Sequence, residues 1–153
     1  MLMTTDTLRQ VGDLSIDADG PGTRLASQWL AKLAADFEVP FAELDRLDIC
    51  LNEVLANIIR HGTHAVAKPL VHIVFQVERD AGGSLATVTV SDAGPAFDIT
   101  TAGIHCRPAS LTEAEPGGLG LLMIRSFSDE LRYHHSDGNN HLSFAVRWNR
   151  SDE

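Results

Sequence analysis

The sequence is short of cysteine: Cys50 and Cys106 are the two it has in 153 residues. Two thiols make no disulfide framework, and neither sits in a zinc-type ligand spacing. That is the usage of a cytoplasmic chain with reduced thiols, and Cys50, inside an apolar helical stretch, reads as a small core residue. Positive charge is scarce too. Twelve Lys and Arg stand against 21 Asp and Glu, for a formal charge of −9. A surface of that sign repels nucleic acid and anionic membrane. No apolar run approaches the ~20 residues of a membrane span. The N-terminus MLMTTDTLRQ lacks the basic-then-apolar order of a signal peptide. There is no GxxxxGK(S/T) phosphate loop, and the element order is wrong for a dinucleotide-binding βαβ unit. Repeats and low-complexity tracts are missing as well. One domain over residues 8–149 is expected, with 1–7 and 150–153 as frayed ends.

What is present is an ordinary apolar inventory, 44% hydrophobic and 22% charged, enough for one real core. Leu47, Leu51, Val54, Leu55 and Ile58 recur at three- and four-residue steps. They predict a long helix from about Phe41 to Gly62. Ile49, Ala56 and Ile59 spread the apolar surface well around it, as on a buried helix. A narrow polar stripe interrupts it: Arg46, Glu53, Asn57, Arg60 and His64, with His61 close by. Ahead of it, Asp19-Gly20-Pro21 starts a helix reaching about Phe37 and burying Leu25, Trp29, Leu30, Leu33 and Phe37. Leu14 and Ile16 alternate in a first strand. Val71, Ile73, Phe75 and Val77 mark a second, and Ala86, Val88 and Val90 a third. Residues 93–116 hold no steady period, which in a compact domain marks a functional or a mobile loop. Gly117 to Phe127 is a glycine-rich turn entering a short helix. Leu131 to His135 and His141 to Trp148 close the chain as a hairpin turned at Asp137-Gly138-Asn139-Asn140. The order β-α-α-β-β-α-β-β, with strands in hairpins, predicts an α+β fold. It is a two-layer sandwich, a mixed and mostly antiparallel sheet covered on one face by about three helices.

Three places could carry chemistry. Glu53 and Asn57, one turn apart on a largely apolar helix, either satisfy each other or face a ligand. In the second case Asn57 supplies a hard oxygen to Mg²⁺ and Glu53 is a general base near bound phosphates. Asp92 ends a strand on the face of Val88 and Val90, where a carboxylate would suit a donor such as an adenine amine. Gly94 lets a flat ring approach the backbone. The same Asp-Ala-Gly-Pro is also a plain turn. Gly117-Gly118-Leu119-Gly120 at a helix mouth is either an anion site or a flexible entry.

In order and spacing these segments resemble a known set. Glu53-x-x-x-Asn57 with His61-Gly62 resembles the N box of the Bergerat-fold ATPases, the superfamily of gyrase, heat-shock-90, histidine kinase and MutL ATPase domains. Asp92-x-Gly94-Pro95-x-Phe97-Asp98 resembles the G1 box. Gly117-Gly118-Leu119-Gly120-Leu121 resembles the G2 box. Small size, a short inter-box loop and the closing hairpin are most similar to the anti-sigma factor serine/threonine kinases. The resemblance covers roughly residues 10–149 and implies an ATP–Mg²⁺ site between sheet and helices.

Carried over by position, it makes Asn57 the Mg²⁺ ligand, Asp92 the adenine partner and Glu53 the base acting on a protein serine or threonine. Gly94, Phe97, Arg107, Gly117, Gly118, Leu119, Gly120 and Leu121 join Asn57 and Asp92 in binding nucleotide. The implied partner is a STAS-domain anti-sigma-factor antagonist, with a sigma factor or other regulator bound in its place after phosphorylation. Homodimers are a family-level expectation. Ala96 departs from the pattern, standing where many relatives have a second glycine. The alternative function is a nucleotide-regulated binding module that holds a partner without phosphoryl transfer.

Overall fold

Five strands form one sheet of order β1-β2-β3-β5-β4, and every pairing in it is antiparallel. The computed structural model describes residues 8–62, 70–96, 98, 100 and 118–149, without the side chains of 61, 62, 118 and 119. The elements are β1 (Leu8–Asp17), α1 (Gly20–Asp36), α2 (Phe41–Gly62), β2 (Leu70–Asp80), β3 (Gly83–Asp92), α3 (Gly118–Phe127), β4 (Glu130–Ser136) and β5 (Asn139–Trp148). The expected frayed termini and most of the loop expected over residues 93–116 lie outside the described residues.

Strand alternation decides which face is covered. Val71, Ile73, Phe75 and Val77 of β2, Ala86, Val88 and Val90 of β3, and Phe144 and Val146 of β5 are all buried to within 1%. They stand opposite one another across the ladders, so they form one continuous apolar face under the helices. The other face carries hydroxyls and imidazoles: Thr89 bonds Ser143 at 2.8 Å, and Ser91 bonds His141 Nδ1 at 2.7 Å.

α1 begins where Asp19 caps it, its side chain accepting from Gly22 N at 2.7 Å, which satisfies one open donor of the first turn. Its buried stripe is Gly22, Ala26, Leu30 and Ala34. Leu25, expected in the core, is 59% exposed. The stripe falls at four-residue steps through small alanines, which let the helix lie close. Leu25 is about 100° off that line. Trp29, Leu33 and Phe37 flank the stripe, partly buried. Phe37 stacks on Phe75 at 5.7 Å, and Trp29 meets the same ring edge-on at 6.5 Å. Gly12 in β1 makes room for Leu33, since a Cβ there would lie 2.4 Å from Leu33 Cδ1.

α2 runs over the expected span. Its buried line is Leu47, Cys50, Leu51, Val54, Leu55 and Asn57, while Ile49, Ala56 and Ile59 are half-buried. Among the described residues the helix is thus covered on one broad stripe rather than all round, with the sheet, α1 and α3 packed against it. The closing hairpin is tighter than its composition suggested. Asp137 and Gly138 alone form the turn, at φ 53° and 78°, the positive-φ pair of a type I′ turn. Asn139 and Asn140 belong to β5.

Candidate functional site

On α2, the helical repeat puts Glu53 and Asn57 on one line. Asn57 is 5% exposed. Its Nδ2 donates to the Glu53 carbonyl at 2.8 Å, which fixes the amide and turns Oδ1 outward. That oxygen takes no hydrogen bond among the described residues. Nor does the Glu53 carboxylate. Glu53 and Asn57 therefore do not satisfy each other through their side chains.

Opposite them stands the start of α3. Gly120 is buried, and a Cβ at this position would lie 2.3 Å from Glu53 Oε2 and 3.8 Å from Asn57 Nδ2. With the Glu53 carboxylate where it stands, the first turn of α3 has no room for a side chain at this position. That turn opens with N–H groups that have no partner within the helix, at the positive end of its dipole. Glu53, Asn57 and Gly120 are thus one cluster: two hard oxygens beside a helix N-terminus. Among the described residues no three His, Cys, Asp or Glu side chains gather as a metal cage. The donor set fits Mg²⁺, which takes one or two protein oxygens and completes its shell with water and phosphate.

The second cluster lies at the end of β3. Asp92 has the parity of Val88 and Val90, hence the helix side of the sheet. Its Oδ1 accepts from Gly94 N at 2.8 Å, and a Cβ on Gly94 would fall 2.7 Å from that oxygen. The turn expected from Asp-Ala-Gly-Pro is therefore present. Oδ2 takes no hydrogen bond among the described residues, so the turn and a ligand role are compatible.

Sequence reading missed Asn140, which it spent on the hairpin turn. Asn140 is 8% exposed and pairs with Asp92 across the β3–β5 ladder. Its Nδ2 reaches Asp92 Oδ1 at 3.2 Å and the carbonyls of Gly94 and Pro95 at 3.3 and 2.9 Å. Its Oδ1 accepts from the Tyr133 hydroxyl at 2.5 Å. The signal was there: the alternation of Leu142, Phe144, Val146 and Trp148, carried one step back, puts residue 140 on the core side.

The other expected site residues divide. Phe97, Arg107 and Gly117 lie outside the described residues, as does His64. Gly118 and Leu119 are described as helix backbone only. Leu121 packs its side chain against the core. Arg60 is exposed. Arg46, on the same polar stripe, is occupied elsewhere: Nε donates to the Phe127 carbonyl at 2.9 Å, and Nη2 lies 3.0 Å from Asp129 Oδ1. Cys50, buried beneath this end of α2, contacts the Ile124 carbonyl at 3.8 Å. Burial pushes its thiol up to about 12, with Arg46 opposing and Glu53 assisting.

A family model described as histidine kinase-like ATPase domain matches residues 17–146. The chain belongs to that family. The serine/threonine-protein kinase BtrW of Bordetella bronchiseptica is 31% identical over 145 residues, 95% of each chain. The serine-protein kinase RsbW of Listeria innocua is 25% identical over 113 residues, 71% of this chain and 69% of that protein. The crystal structure of the RsbU and RsbW domains of Rv1364c from Mycobacterium tuberculosis shares the fold, with a TM-score of 0.60 at 18% identity over 90% of this chain and 32% of that one. Within the histidine kinase-like ATPases the chain falls in the anti-sigma factor kinase branch. As an ATPase-domain protein it carries a fold for binding ATP. Among the described residues no helix is long and apolar enough to cross a membrane.

Proposed function

We propose that this chain is a serine/threonine protein kinase that uses ATP and Mg²⁺ to phosphorylate a STAS-domain anti-sigma-factor antagonist in a partner-switching pathway. The observation that carries the reading is Glu53. Its carboxylate has no hydrogen bond or ion pair among the described residues, and it faces the glycine-opened start of α3 beside the outward-turned amide oxygen of Asn57. A module that only held nucleotide would gain nothing from an unpaired carboxylate there, where it would repel phosphate. The names of BtrW and RsbW, both serine or serine/threonine kinases, support the same reaction.

In this reading Asp92 Oδ2 accepts the adenine amine, and Gly94 admits the ring edge. The open N–H groups of Gly118 to Gly120 face the phosphates, with Arg107 as a further cation from the loop. Asn57 Oδ1 would hold Mg²⁺, and the ion would supply positive charge for the phosphate oxygens. Glu53 takes the proton of the partner's serine or threonine hydroxyl. The hydroxyl oxygen bonds to the γ-phosphorus, and the bond from that phosphorus to the bridging oxygen of ADP breaks. The product carries about −1.5 to −2 additional charge. It faces a chain of formal charge −9, which favours its release and frees the surface for a sigma factor.

The test is phosphate labelling of STAS-domain proteins from the same genome with radiolabelled ATP. Glu53→Ala should still bind ATP yet label at least ~100-fold more slowly. Wild-type labelling by that variant would sink the base assignment. A stable ATP-dependent complex of the wild-type chain with no phosphoprotein would instead support a binding module.

A further inference from the structure

We propose that Asn140, oriented by Tyr133, is the positioning residue that makes Asp92 selective for a purine bearing a 6-amino group. The inference rests on the nucleotide reading above and goes beyond it by naming what aims the carboxylate.

The geometry of the amide is determined by its surroundings. Nδ2 faces three oxygens that carry no hydrogen: Asp92 Oδ1, the Gly94 carbonyl and the Pro95 carbonyl, at 3.2, 3.3 and 2.9 Å. A flipped amide would set oxygen against all three. On its other side the Tyr133 hydroxyl donates to Oδ1 at 2.5 Å, which agrees with the same orientation. Asn140 is nearly buried, so these contacts are not traded freely with water.

The effect on Asp92 is asymmetric. Oδ1 receives two donors, Gly94 N and Asn140 Nδ2. Its partner Oδ2 has none among the described residues. A carboxylate rotates about one soft torsion, and two donors on a single oxygen stop that rotation with the other oxygen presented. A fixed bare acceptor binds a 6-amino group and repels a 6-oxo group. The same amide holds the Gly94 and Pro95 carbonyls, so the backbone bordering the base is tied to β5 by the side chain that sets the carboxylate. Tyr133 and Asn140 sit on adjacent strands of the closing hairpin, where Tyr133 pairs with Leu142 and Asn140 with His135, so the two stand diagonally across the β4–β5 ladder.

The experiment compares binding of ATP and of purine riboside triphosphate, which lacks the 6-amino group, to the full chain. Wild type should prefer ATP by roughly 10-fold or more. Asn140→Ala should lose most of that preference by weakening ATP alone. Tyr133→Phe, which removes only a hydroxyl, should lose part of it with the fold intact by circular dichroism. A role confined to holding the hairpin together would weaken both nucleotides equally, and that result overturns the inference, as does an unchanged preference in Tyr133→Phe and Asn140→Ala. A wild type with no preference for ATP would overturn the assignment of Asp92 itself, and this inference with it.

Discussion

Arg46 on α2 grips the far end of α3, its guanidinium donating to the Phe127 carbonyl and lying 3.0 Å from Asp129 Oδ1. The opposite end of α3 is the one that meets Glu53. A contact at the closed end thus sets the angle at which the glycine-bearing turn approaches α2. Partial burial pushes the Asp129 carboxyl up, but hydrogen bonds from Arg147 N and Arg46, with their charges, outweigh it and hold it below its ordinary value. A depressed folded value means stability that is present above the unfolded pKa near 3.8 and lost as pH falls through the folded one. Urea unfolding from pH 6 down to pH 2 should show that loss, and Arg46→Met should flatten it. Because Asp129 is more than a third exposed, solvent screening keeps the difference small. An identical slope in the variant would contradict the account.

Gly120→Ala separates packing from function. The clashing atom is the end of a flexible glutamate, which can swing away at little cost, so the urea midpoint should move by less than ~1 kcal/mol equivalent. The displaced carboxylate should nevertheless leave the transfer site, and labelling of the partner should fall at least ~10-fold. Full labelling with an unchanged midpoint would show that Glu53 acts from another position.

The two leucines of α1 make an internal control. Leu30 is fully buried, and Leu30→Ala should cost about 3–5 kcal/mol. Leu25 is 59% exposed, and Leu25→Ala should stay within ~0.5 kcal/mol. Equal losses on chemical denaturation would place the helix in a different rotation.

Cys50 should be silent to thiol reagents. With its thiol pushed up to about 12 by burial, the reactive thiolate is absent at pH 8. In a Cys106→Ser background, disulfide-exchange labelling should proceed only at the rate of unfolding. Raising the pH above the ordinary thiol value of 9.0 should destabilise the fold, because the unfolded chain ionises first. Prompt labelling of the native chain would refute burial.

The strands were legible because a half-buried strand writes its face at every second residue, as Val71, Ile73, Phe75 and Val77 do. The span of α2 was legible for the same reason at helical steps. The rotation of α1 was not, since its contact line runs through Ala26 and Ala34, whose small apolar weight is overshadowed by Leu25 and Trp29. Glu53, Asn57, Asp92 and Gly120 stood out as polar or glycine positions in apolar company. Their meeting needed tertiary structure: no local pattern tells that α3 returns to α2, or that β5 enters between β3 and β4. Asn140 hid in a run of Asp, Gly and Asn whose composition says turn, although its parity says core.

A surface hairpin tip is ordinarily where a chain accepts extra residues most readily. The tip formed by Asp137 and Gly138 is different. Side chains alternate sides along β5, so one residue inserted there that shifts the strand would turn Asn140 outward and bring a neighbour in beneath Asp92. The two-residue length of that turn is therefore inherited with the base pocket, and length variation among related chains should be confined to other loops.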